Sequence, residues 1–192
     1  MHSIEYLLNT IKPITEANDI IGRLHAILSS LQLQNEELTY YKPKNFLVSE
    51  LVPKMIFDNW GDRALKFVDP RISWSADSIR WYFNQTKFDA FEKAGSTRRI
   101  YINTYPYGGV SEERGFRLPD SKASKALLTQ HKFGRGLDFI VEGIQSEIVR
   151  SEILQHTGHP AFRFITEMEL DTPHVHIACP QTGMNTINTF KP

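Results

Sequence analysis

Seven histidines are present, and two of them stand one residue apart at His174-Val175-His176. In an extended strand, alternate side chains share a face, so both imidazoles project to one side while Val175 and Ile177 project to the other. A second group is His131-Lys132-Phe133-Gly134-Arg135-Gly136-Leu137-Asp138. Here a loop histidine precedes an aspartate on a strand, and Asp138 points away from the face shared by Leu137 and Phe139. Gly134 and Gly136 allow the sharp turning or close approach that would fold His131 back towards Asp138. One loop histidine, one strand aspartate and one strand histidine supply three nitrogen or oxygen ligands. That number suits catalytic zinc, which keeps a fourth position for water. Each histidine alone reads as a hydrogen-bonded structural residue, and it is the pairing of the two segments that asks for one site. The remaining histidines (His2, His25, His156 and His159) read as surface or capping residues.

The elements around these residues are those of an α+β domain. Leu137–Val141 reads as a strand and residues 145–156 as a helix with Glu147 in its first turn. Ala161–Glu169 reads as a strand, 170–173 as a turn, and 174–179 as the returning strand of a hairpin. Upstream, Ile72, Ala76, Ile79 and Phe83 mark one side of a helix over 73–84, and Arg99–Asn103 reads as a strand. Residues 104–130, rich in Gly, Pro, Ser and charge, read as a long loop, a length that is often functional within a compact domain. The expected architecture is an antiparallel sheet with flanking helices. Ahead of it, Ile20, Leu24, Ile27, Leu28 and Leu31 fall on one face of a helix. Residues 1–44 therefore read as a helical N-terminal extension, its apolar stripe facing either the domain or a protein partner, and residues 45–192 as the domain.

The 192 residues carry 22 basic and 22 acidic side chains, a balance that argues against nucleic-acid binding. No glycine loop for a nucleotide is present. Hydrophobic residues make up 41%, enough for a core without staples. The lone Cys179 excludes an internal disulfide and a thiolate cluster, and its setting in Ile177-Ala178-Cys179 reads as a small strand residue. No apolar run suits a membrane span, and the first residues lack a secretory signal, so the expectation is a cytoplasmic product without a membrane partner.

The order His131-x-x-Gly134-x-Gly136-x-Asp138 followed by His174-x-His176 resembles the D-alanyl-D-alanine carboxypeptidase and Hedgehog-type zinc peptidases, in particular their phage and bacterial cell-wall branch. Asn45–Leu51 resembles the segment that opens the domain in such members, and Gly115-Phe116-Arg117 resembles their Gly-Tyr-Arg element. The likeness covers roughly residues 45 to 180. It implies that His131, Asp138 and His176 bind Zn2+, that Glu169 is the catalytic carboxylate, and that His174 and Arg117 steady the developing oxyanion. In members with a Glu-x-x-His arrangement the base stands three residues before the ligand; here that position is Pro173, which leaves Glu167 and Asp171 as rivals to Glu169. The implied activity is hydrolysis of a peptide bond in peptidoglycan stem peptides, as a carboxypeptidase or an endopeptidase. The alternative is a non-catalytic, zinc-containing wall-binding or phage structural module of the same fold.

Overall fold

The computed structural model of the chain describes residues 39–84, 97–123, 128–180 and 186–192. The helix expected around Ile20–Leu31, and with it most of the N-terminal extension, lies outside the described residues. Tyr40–Pro192 form one compact unit. That unit includes the last residues assigned by sequence to the extension, Tyr40 to Lys44. The Tyr41 hydroxyl donates to Asp77 Oδ2 at 2.8 Å, and the backbone N–H groups of Lys44 and Asn45 donate to the same carboxylate at 2.6 and 2.9 Å. Among the described residues no helix is long and apolar enough to cross a membrane.

Helix α1 is Lys54–Trp60 and runs into a 3-10 segment, Gly61–Phe67. Helix α2 is Pro70–Tyr82. It begins three residues before the expected 73–84 because Asp69 caps it, accepting from the Arg71 N–H, and Pro70 sits at the first helical position where no N–H is needed. The stripe Ile72, Ala76, Ile79 and Phe83 is buried throughout, as its spacing predicts. Helix α3, Ser146–Gln155, buries Val149 and Ile153 and packs on the sheet.

The described strands are β1 (Ile100–Tyr101), β2 (Gly136–Val141), β3 (Glu167–Glu169), β4 (Val175–Ala178) and β5 (Asn188–Phe190). Their order is β1-β2-β4-β3-β5. The first four pair antiparallel and β3 with β4 forms the expected hairpin, but β5 joins β3 in parallel, so the sheet is mixed rather than antiparallel. The strand expected over Ala161–Glu169 is also shorter. Pro160 and the His159 ring, which accepts from the Ala161 N–H, start a 3-10 turn at Pro160–Phe162, so Ala161, Phe162 and Ile165 enter the core from a turn instead of by alternation.

Register gives the sheet two unlike faces. Leu137, Ile177 and Met168 stand opposite one another, all but fully buried, and form the core layer with Phe139 and Val175. One residue along, the same three strands align Asp138, His176 and Glu169 on the other face, and β5 adds Phe190 to the row.

Candidate metal centre

Three separate segments bring His131, Asp138 and His176 together. His131 lies in a 3-10 turn, Gln130–Phe133, that Gly134 closes in the left-handed region at φ 69°. A Cβ on Gly134 would lie 2.0 Å from the Phe67 carbonyl oxygen, so both its conformation and its space demand glycine. Gly136, the first residue of β2, passes directly under the His131 ring: a Cβ there would meet imidazole carbons at 3.1 Å. The two glycines thus lay His131 across the start of β2, over Asp138. The histidine of β4 arrives by strand pairing, since Asp138 and His176 are direct cross-strand partners.

His131 Nε2, His176 Nδ1 and Asp138 Oδ1 form a small triangle with sides of 3.1, 2.7 and 3.2 Å. All three side chains are buried. His131 Nδ1 is 2.7 Å from the Gly115 carbonyl oxygen, which can only accept, so Nδ1 carries a proton. Burial pushes the His131 imidazole below its ordinary range, against the pull of Asp138, which favours the neutral ring with its Nε2 lone pair turned into the triangle. Burial would by itself raise the Asp138 carboxyl, but its contacts with His131 and His176 hold it well below the usual carboxylate range. An anionic oxygen and an imidazole lone pair therefore face each other at 3.2 Å. One proton on His176 Nδ1 can satisfy only part of that arrangement; a cation at the centre satisfies all of it.

The donor set fits zinc. Tetrahedral bonds of about 2.0–2.1 Å place neighbouring ligand atoms roughly 3.3 Å apart, close to the 3.1 and 3.2 Å sides, while the 2.7 Å side between His176 and Asp138 is shorter. Three protein ligands leave a fourth position, and the surroundings supply the orienting bonds such a site needs: Gly115 on His131, and Arg117 Nη2 on Asp138 Oδ2 at 2.6 Å. These three residues are also the His, Cys, Asp and Glu group among the described residues whose ligand atoms lie mutually close enough, within 4.8 Å, to hold an ion.

The other expected residues fall at different distances. Glu169 is directly opposite His176 and half-buried, in the row of Asp138 and His176. Glu167 stands opposite Ala178, two residues further along the strand. Asp171 occupies the exposed β3–β4 turn at φ 60° and is ion-paired to Lys191 at 2.7 Å. His174 Nε2 lies 3.6 Å from Asp138 Oδ1, beyond hydrogen-bond range, and burial depresses its pKa. Arg117 is committed inward, to Asp138 and, through Nε, to the Glu113 carbonyl at 2.6 Å. The neighbouring Arg114 adds its positive charge to the burial that lowers the His174 pKa, and its carbonyl accepts from the Asp138 N–H at 2.7 Å.

Two contributors have no signal in the sequence motifs. Arg150 of α3 is buried and donates to the His174 carbonyl at 2.7 Å, fixing the turn that carries the histidine pair. Phe190 reaches the His176 ring from β5, with ring centroids 6.1 Å apart. Cys179 is fully buried and takes no part. No protein family, curated protein or solved structure matches this chain.

Proposed function

We propose that the chain is a zinc-dependent peptidase that hydrolyses a peptide bond in bacterial peptidoglycan stem peptides. The observation that carries this reading is the buried triangle of His131 Nε2, Asp138 Oδ1 and His176 Nδ1, with one imidazole tautomer fixed from behind by a carbonyl. The resemblance of the two motifs to the D-alanyl-D-alanine carboxypeptidase and Hedgehog-type peptidases supplies the substrate class. Zinc held by these three residues would provide a Lewis acid and a water acidic enough to act as a nucleophile near neutral pH.

The chain's own residues divide the remaining work. Glu169 takes a proton from the attacking water and returns it to the departing amine. Its place opposite His176 favours it over Glu167, a strand step further off, and over Asp171, whose carboxylate is engaged by Lys191. His174, held neutral by burial, offers an N–H to the oxyanion. Arg117 was expected to share that task, but its guanidinium orients Asp138, and it can reach an oxyanion only by releasing that carboxylate.

The deciding experiment measures zinc in the purified protein together with release of amines from purified peptidoglycan. Stoichiometric zinc, chelator-sensitive release, and a Glu169→Gln variant that keeps zinc but releases nothing are the expected results. Full activity in that variant would transfer the base role elsewhere. Zinc without release would mark a non-catalytic binding module.

A further inference from the structure

We propose that Phe190, on the last strand of the chain, is a specificity-determining residue of this site: it forms an apolar wall that receives an apolar side chain of the peptide next to the scissile bond. The assignment rests on the peptidase reading above and adds a substrate contact to it.

The geometry begins with the parallel pairing of β5 on β3. Register sets Phe190 beside Glu169, which itself stands beside His176, so the fourth member of the row Asp138, His176, Glu169 is an aromatic ring. Neighbouring strands are about 4.8 Å apart, which separates the His176 and Phe190 backbones by roughly 10 Å. Their ring centroids are nonetheless only 6.1 Å apart, at an interplanar angle of 76°. The two rings lean together over the Glu169 strand position. Backbone bonds hold the strand in place: the Leu170 N–H donates to the Phe190 carbonyl at 2.8 Å, and the Asn188 N–H donates to the Thr166 carbonyl at 2.9 Å. The Lys191–Asp171 ion pair fastens the next residue to the β3–β4 turn.

Phe190 keeps 41% of its surface exposed, whereas most phenylalanines of the domain are buried in the core or packed against it. A ring fixed by its backbone and open on one side presents apolar area that a bound ligand can cover. Because Phe190 is the cross-strand neighbour of Glu169, the residue assigned as base, what covers the ring is a substrate group beside the bond being cut. Apolar contact is the main recognition a phenyl ring offers an uncharged group, so the matching group is an alkyl side chain.

The test uses the full chain loaded with zinc on a Glu169→Gln background, which permits binding to be measured without turnover. The probe is the stem pentapeptide L-Ala-γ-D-Glu-L-Lys-D-Ala-D-Ala, and the readout is isothermal titration calorimetry. Phe190→Ala is expected to weaken binding by about tenfold or more, the scale of losing a small apolar contact, and Phe190→Leu to restore most of it. With Glu169 intact, the same variants should raise KM more than they lower kcat, and zinc content should stay unchanged. Equal affinity in the Phe190→Ala and parent proteins overturns the assignment and leaves the peptidase reading standing. A parent protein that binds no pentapeptide overturns both.

Discussion

Asp138 is the residue through which the site is organised. One oxygen faces both His131 and His176 and the other is held by Arg117, so a neutral replacement disturbs every contact at once. Asp138→Asn and His176→Ala are each expected to leave the protein without stoichiometric zinc after dialysis, measurable by plasma mass spectrometry. Arg117 separates two roles. If it acts by orienting Asp138, Arg117→Met should weaken zinc binding by about 10- to 100-fold, the usual effect of removing such a partner, in a competition titration against a chelator. Unchanged affinity with reduced kcat would instead show that it serves the oxyanion. Cys179 gives a simple check on burial: enclosure pushes its thiol up to about 12. It should resist an aromatic disulfide reagent in the native protein and react fully once the chain is unfolded in urea.

At the scale of elements, the histidine turn and the start of α2 are joined. The Asp69 N–H donates to the Gly134 carbonyl at 2.9 Å, while the Asp69 side chain caps α2 and pairs with Arg71 at 2.7 Å. Burial of Asp69 opposes its ionisation, but the hydrogen bonds and charge of Arg71, with Arg135 behind, leave its carboxyl below the ordinary range. A carboxyl depressed on folding stabilises the native state above its unfolded pKa, near 3.9, and that contribution disappears as pH falls through the lower folded value. Asp69→Ala should therefore cost about 1 kcal/mol at pH 7, the scale of a lost cap, and progressively less below pH ~4, as followed by urea unfolding. Gly134→Ala should cost more than about 1 kcal/mol, since it forces a side chain into the left-handed region and against a carbonyl. Gly136→Ala meets only the His131 ring and backbone, so its larger effect should be on zinc retention.

For the whole molecule, the triangle joins a loop turn, strand β2 and the central strand β4, segments separated by as many as 45 positions. An ion bound there favours the folded chain by an amount that grows with its concentration over Kd, because the unfolded chain has no such constellation. Chelation should lower the melting temperature by several degrees, and added zinc should restore it in a calorimetric scan. Replacing His131 by Ala should remove this zinc dependence along with the metal.

The ligand types, their spacing and the glycines that fold His131 over β2 are local properties, and they are legible in the sequence because alternation and turn chemistry act over a few residues. The buried stripe of α2 and the strand of Asp138 are legible for the same reason. The start of α2 and the loss of two-thirds of the strand expected up to Glu169 depended on proline and cap positions that shift boundaries without altering the apolar pattern. Register lies beyond local reading. That Asp138, His176 and Glu169 share one row, that Arg117 turns inward to a carboxylate, and that β5 returns in parallel to set Phe190 beside the site all follow from pairings between distant segments. Such pairings are settled by how the core layer of Leu137, Ile177 and Met168 closes, and only the folded chain contains that information.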